Sequence, residues 1–294
     1  MKDSKLTLSK KRVKFVEKDP LVKPVVKWAG GKRQLLPKIK KEIPKKYSVY
    51  YEPFLGGGAV LFDLQPQKAT VNDINEELIN LYLVIRDNVD SLVIDLKKHK
   101  NDAEYFYKIR GLDRDKKKYS RLSEVERASR ILYLNKTCFN GLYRVNQRGE
   151  FNVPFGDYKN PNIVNEDLLR AVSNYFNKAK INLRCKDFAE AVAGIESGGF
   201  VYIDPPYDPI SDSANFTAYD QGGFNRKEQK RLKELCDSLD RKGIKFLLSN
   251  SATDFILNLY KNYRVKIIQA KRAINAQGHR RGNVSEVLVK NYEN

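Results

Sequence analysis

The chain has 294 residues, 41% hydrophobic and 31% charged, and its 55 Lys and Arg against 36 Asp and Glu leave a formal charge of +19. That length allows one large domain or two modest ones with a full core, and no apolar run reaches the roughly 18 residues of a membrane span. The basic excess points to partners that carry phosphates, because Lys and Arg release counterions from nucleic acid.

Cys138, Cys185 and Cys236 are scattered, and His99 and His279 are the only imidazoles, so neither a disulfide framework nor a zinc site is expected. The basic start lacks the apolar stretch of a secretory signal, and a reducing, cytoplasmic setting is the expectation. Residues 1–20 are Lys-rich with little periodicity and read as a mobile basic arm.

In chain order, Lys27-Trp28-Ala29-Gly30-Gly31-Lys32 carries the only tryptophan. Its glycines let backbone amides approach a carboxylate and Lys32 adds positive charge, while Trp28 packs either on a ligand or on the core. A first strand is expected from Tyr47 to Phe54. The turn Phe54-Leu55-Gly56-Gly57-Gly58 follows it and opens a helix over Ala59 to Leu64. Such a turn is a plain loop or a close backbone approach to a ligand, but not a phosphate cradle of the P-loop kind, since no Gly-Lys-Ser/Thr follows it. The second strand, Ala69 to Asn72, ends at Asp73, where α/β enzymes bind ribose hydroxyls. Glu76 to Arg86 has helical apolar spacing.

Between Asn80 and Asn165 the helical stretches turn polar and basic, and Thr137 to Asp157 is rich in Gly, Asn, Arg and aromatic residues with hairpin character. Residues 80–165 are read as an insertion between the second and third strands, either a cap over the sheet or a recognition module. The catalytic body is expected from 21–79 and 166–294. Ile181 to Cys185 forms the third strand, with Asp187 beyond it as a helix N-cap or a second ligand-binding acid.

The fourth strand, Phe200 to Asp204, runs into Asp204-Pro205-Pro206-Tyr207. The prolines stop the ladder and leave Asp204 and Tyr207 at the carboxyl edge, where open α/β sheets bind ligands. The acid and the Pro205 carbonyl are acceptors for a planar amine and Tyr207 offers a ring for stacking; the plain alternative is a turn ending a strand. A helix over Arg226 to Lys242 and a strand over Lys245 to Asn250 follow. Val265 to Ala270 and Val284 to Tyr292 have no helix between them and are expected as an antiparallel hairpin at one end of a mostly parallel sheet.

Lys27-Trp28-Ala29-Gly30-Gly31-Lys32, Phe54-x-Gly56-x-Gly58, Asn72-Asp73 and Asp204-Pro205-Pro206-Tyr207 together resemble the Dam family of DNA adenine-N6 methyltransferases. The resemblance runs from Pro24 to the end. It takes in Asn140-Gly141-Leu142-Tyr143-Arg144, the stretch from Arg148 to Gly156, Asn215-Phe216-Thr217-Ala218-Tyr219 and Leu248-Ser249-Asn250. The motif order looks like the alpha group, and within it the chain is most similar to GATC-specific modification enzymes of DpnII-type restriction systems.

The resemblance implies a Rossmann-like S-adenosylmethionine-dependent sheet with an inserted, mainly helical target recognition domain. It implies cofactor contacts from Trp28, Lys32, Asp73 and Asp204, with Phe54, Gly56 and Gly58 shaping the pocket; independently of it, the position of Asp187 after the third strand makes it a second acid for the cofactor's adenine amino group. In the resembling mechanism, Asp204, Pro205, Pro206 and Tyr207 hold an extruded adenine and draw its amino nitrogen toward a pyramidal geometry for direct displacement, with no metal. Arg144 and Arg148 are candidates for a guanine edge or a phosphate, and Asn140 and Asn146 for adenine or for hairpin support. The partner is double-stranded DNA, bound by a monomer, with no membrane. The rival readings are an RNA or cytosine-N4 methyltransferase and a non-catalytic DNA-binding protein.

Overall fold

The computed structural model describes residues 18–209, 223–271 and 283–293. Most of the expected basic arm and the Asn215 to Tyr219 segment lie outside them.

All seven expected strands form: β1 (Tyr50–Glu52), β2 (Lys68–Asn72), β3 (Lys180–Arg184), β4 (Phe200–Ile203), β5 (Lys245–Ser251), β6 (Arg264–Lys271) and β7 (Asn283–Lys290). They build one sheet in the order β3-β2-β1-β4-β5-β7-β6. The first five are parallel, and β7 is antiparallel to both β5 and β6. The C-terminal pair is therefore antiparallel, as expected. Its second strand slots in beside β5 and leaves β6 at the edge, where Lys266 and Ile267 are exposed on opposite faces of the strand.

The order reverses between β1 and β4, so the carboxyl ends of these two strands open a crevice at the switch point. Strand alternation divides the interior into two cores. Phe200, Tyr202, Leu247 and Leu288 point into one, and Val201, Ile203, Phe246, Leu248, Val287 and Val289 into the other, as a two-residue period requires.

The helices are α1 (Leu36–Glu42), α2 (Ala59–Leu64), α3 (Glu76–Asp87), α4 (Val89–Leu96), α5 (Ala103–Arg110), α6 (Lys116–Tyr119), α7 (Glu124–Thr137), α8 (Glu166–Lys178), α9 (Phe188–Ala191), α10 (Arg226–Arg241) and α11 (Asp254–Leu259). Their caps follow from local chemistry. Asn75, Asp102, Ser123, Asn165 and Asn225 each accept a backbone N–H from the first turn of the helix they begin, satisfying donors that no intrahelical carbonyl reaches. The stripe Leu232, Cys236 and Leu239 seats α10 on the second core.

The connection from β2 to β3 holds α3 to α8. Residue 80, the expected start of an insertion, lies inside α3, whose Leu78, Leu81, Tyr82 and Ile85 are buried in the first core together with Leu92 and Leu96 of α4, Leu132 of α7 and Phe176 of α8. Further out, Phe106, Tyr133, Leu134, Cys138, Phe151 and Val153 form a third, smaller core. His99 stacks on Tyr133 at 4.3 Å and bonds Tyr105 and Ser129. Burial pushes its pKa down to about 4, so it is a neutral packing residue at physiological pH.

Glu42 at the end of α1 binds Lys266 of β6 at 2.6 Å and Lys290 of β7 at 2.8 Å, fastening the helix to the antiparallel edge. Burial alone would raise its carboxyl pKa, but the two lysines outweigh burial and hold it below the ordinary 4.5. The folded value is thus lower than the unfolded one, so the contribution is complete above the unfolded pKa and is lost as pH falls through the folded one. Glu42→Gln should lower the melting temperature at neutral pH, with the gap to wild type closing in acid. Thermal melts across that range check this, and a constant gap would contradict it.

Candidate active site

The parallel ladder ends at Ile203, paired with Leu248. The next register step brings Asp204 beside Ser249, whose hydroxyl donates to Asp204 Oδ1 at 2.9 Å. Lys32 reaches the same oxygen at 2.7 Å from the segment before α1 and is itself only 5% exposed. Its ammonium also donates to the Gly30 carbonyl at 2.6 Å and lies 4.6 Å from the centre of the Tyr207 ring. Tyr207 donates its hydroxyl to Glu286 Oε2 at 2.7 Å. The expected turn therefore does bring an acid and an aromatic ring together, around a cation.

Burial raises the Asp204 pKa, and Lys32 and Ser249 only partly offset it. Burial also raises the Glu286 carboxyl against the opposing effects of Tyr207 and Lys32, and keeps the Tyr207 phenol well above its ordinary value.

Beneath the turn lies a layer of fully buried polar side chains. Gln229 of α10 donates to the Pro206 carbonyl at 2.8 Å, and Asn250 of β5 accepts from the Asp208 backbone N–H at 3.1 Å. Asp208 is anchored in turn by Thr253 at 2.7 Å and Arg226 at 3.1 Å. Among the described residues no donor reaches the Pro205 carbonyl.

The glycine turn stands across the crevice. Gly58 caps α2 in the left-handed region (φ +68), and a Cβ there would sit 2.7 Å from Phe62, so no larger residue fits. Gly56 donates its N–H to Asp73 Oδ2 at 2.8 Å, while Asn75 N–H reaches Asp73 Oδ1 at 3.0 Å. Burial raises the Asp73 pKa despite these bonds. Asn72, 1% exposed, donates to the carbonyls of Pro53 and Lys186 and accepts from the Lys186 N–H, tying the ends of β1, β2 and β3 together. Phe54 stacks on Phe188 at 5.3 Å and meets Phe224 edge-on. Asp187 caps α9 through the Ala189 N–H at 2.9 Å and pairs with Arg231 at 2.5 Å, so its carboxylate serves local structure in this arrangement.

Trp28 packs over Gly56 and stacks on Tyr143 at 4.6 Å, joining the crevice to the aromatic hairpin. Asn140 and Gly141 both have positive φ (57° and 64°), and a Cβ at Gly141 would lie 2.6 Å from the Lys27 side chain. The amide of Asn135 staples this turn, bonding the Lys27 N–H, the Lys27 carbonyl and the Gly141 carbonyl. Asn146 takes the supporting role: its oxygen accepts from Arg148 and Glu150 N–H and its nitrogen donates to Glu150. Arg144 is exposed and bonded to Asn152 at 2.7 Å, and Arg148 and Asn140 are exposed. Asp113, buried with Arg130 at 2.7 Å, accepts from the Phe151 N–H and holds the hairpin from behind.

The sequence reading missed Glu286, Gln229 and Asp208, and gave Ser249 and Asn250 no individual role. A charged residue inside the apolar run of β7 and a glutamine in line with the α10 stripe were the available signals. Among the described residues no group of three or more His, Cys, Asp or Glu is placed to hold a metal ion, and no helix is long and apolar enough to cross a membrane. Asp204 should titrate above 3.8 in a carboxyl-carbon NMR titration, and Lys32→Met should move it higher still. A wild-type value at or below 3.8 would contradict the burial argument.

Comparison with known proteins accords with this geometry. Residues 28–274 match the model of the D12 class N6 adenine-specific DNA methyltransferases. The chain is 46% identical to a Type II methyltransferase of Lactococcus lactis subsp. cremoris, over 93% of this chain and 96% of that one. It is 41% identical to a Type II methyltransferase of Methanocaldococcus jannaschii, covering 92% and 99%. To the DNA adenine methylase of Escherichia coli K12 it is 34% identical, covering 90% and 93%. The sheet order, the acid-proline turn and these matches converge: the chain belongs to the D12 class of N6 adenine-specific DNA methyltransferases.

Proposed function

We propose that this adenine-N6 methyltransferase uses S-adenosylmethionine, acts on adenine within GATC in duplex DNA as a monomer in the cytoplasm, and protects that DNA from a cognate restriction endonuclease. The observation that carries the chemistry is the seat of the Lys32 ammonium. A nitrogen donor fits there 2.7 Å from Asp204 and 4.6 Å from the Tyr207 ring centre, beside the acid that would accept from an exocyclic amine and the ring that would stack on its base.

The crevice residues fit the cofactor. The close turn at Gly56 and Gly58, the stacked Phe54 and the half-buried Trp28 give it an apolar wall. Asp73 keeps acceptor capacity for ribose hydroxyls beyond its two backbone bonds. Lys32 supplies charge at one end, and at the other Asp187 would have to exchange Arg231 for the adenine amino group. Bound there, the cofactor supplies an electrophilic sulfonium methyl group.

Asp204 and the Pro205 carbonyl accept hydrogen bonds from the amino group, localise its lone pair and orient it for displacement. Asp204 carries the negative charge that steadies the nitrogen as it becomes cationic. Tyr207 stacks on the extruded base and offsets part of an unstacking cost of roughly a few kcal/mol. Residues 80–165 serve as the target recognition domain. Arg144 and Arg148 present donors to the major groove, Asn140 is exposed as they are, and Asn146 holds the arginines' turn.

Asp204→Ala should abolish methyl transfer to duplex oligonucleotides while the fold, read by circular dichroism, stays intact; wild-type turnover in that variant would refute the assignment. Mapping methyladenine in DNA from cells expressing the chain tests GATC directly, and methylation at another sequence overturns that part. Arg148→Ala should relax specificity, with a contact worth ~1–3 kcal/mol removed if the residue reads a base. A uniform loss on all sequences reassigns it to the phosphates.

A further inference from the structure

We infer that Gln229, acting with Asn250, is a positioning residue for methyl transfer: their buried amide pair holds the backbone on both sides of Tyr207 and thereby aims the amine-binding turn. The inference rests on the reading of Asp204 to Tyr207 as the site that grips the target amine.

Both side chains are 0% exposed. Gln229 Nε2 donates to the Pro206 carbonyl at 2.8 Å, and Asn250 Nδ2 donates to Gln229 Oε1 at 3.0 Å. Asn250 Oδ1 accepts from the Asp208 N–H at 3.1 Å and from the Ser251 N–H at 2.8 Å. A carbonyl can only accept and a backbone N–H can only donate, so both amide orientations are dictated by their partners. The result is a circuit from residue 206 through two side chains to residue 208, with Tyr207 between the anchored points.

Location makes this more than packing. Gln229 falls on the apolar stripe of α10 three residues before Leu232, where a leucine would fill the second core without leaving a polar group to satisfy. A buried amide there is costly unless fully bonded, and its bonds go to the turn. Asn250 follows Ser249, the residue that holds Asp204. With Pro206 engaged by Gln229, the adjacent Pro205 carbonyl is the acceptor that remains for a substrate. Near a reacting centre, a misplacement of about 1 Å can cost about 10²-fold in rate.

The test is the single-turnover rate constant for methyl transfer to a duplex bearing the recognition site, normalised to folded enzyme, for Gln229→Met and Gln229→Glu. Gln229→Met should lower it by about 10- to 100-fold, with the dissociation constants of cofactor and DNA unchanged. Gln229→Glu supplies a signature that a purely structural role lacks. Ionised, the carboxylate has no donor for the Pro206 carbonyl; protonated, it has one O–H to donate and one oxygen to accept from Asn250. Its rate constant relative to wild type should therefore climb as pH falls, while the ratio for Gln229→Met stays flat.

A wild-type rate constant in Gln229→Met overturns the inference, as does a Gln229→Glu ratio that does not change with pH. Should Gln229→Met fail to fold, the Glu variant decides alone. Absence of methyl transfer by the wild-type chain would fell the underlying reading of the turn instead.

Discussion

Parallel strands that stop at a ligand edge leave their last backbone groups without ladder partners, in a place too buried for water to serve all of them. The structure meets this constraint with side-chain amides. Asn72 bonds the segments after β1 and β3, and Gln229 and Asn250 bond the turn after β4. A carboxylate cannot do this work, because an amide offers donor and acceptor together without carrying charge into the interior. The loops after β1, β3 and β4, which carry Phe54, Asp187 and the Asp204 to Tyr207 turn, hang from these amides.

The electrostatics of the crevice follow from the same burial. Asp204 sits where a charge is expensive, and Lys32 and Ser249 recover part of that cost without cancelling it. Glu286 lies one strand further out, bonded through the Tyr207 hydroxyl. The ring is thus fixed at both ends: its backbone by the amide pair, its phenol by an acid of β7. Held this way, the ring keeps a fixed position over the Lys32 ammonium.

The segment between β2 and β3 is not a loosely tethered appendage. Trp28 stacks on Tyr143, and Asn135 bonds both the Lys27 backbone and the Gly141 carbonyl, so the left-handed Asn140-Gly141 turn and the lysine-glycine segment are positioned by one side chain. Lys136 adds a bond to the Val25 carbonyl at 2.6 Å. Packing of this kind links the hairpin to the segment that delivers Lys32 to Asp204.

Strand periodicity, breaker residues and cap chemistry made the sheet legible in advance, and each of the seven strands lies within a few residues of its expected bounds, since alternation and turn-formers are local properties. The acid-proline turn was equally plain, because prolines fix a backbone wherever they stand. Local sequence could not place β7 between β5 and β6, nor carry α3 across residue 80 into the first core, as both depend on which apolar faces cover one another. Nor could it assign Asn146 to the hairpin turn, pair Asp187 with Arg231, or set Glu286 on Tyr207. Those are contacts between residues far apart in the chain or choices among nearby donors. Which strands exist and where the chemistry stands were determined by the order of residues; which partners hold the reactive groups was decided only when the buried polar atoms had to find one another.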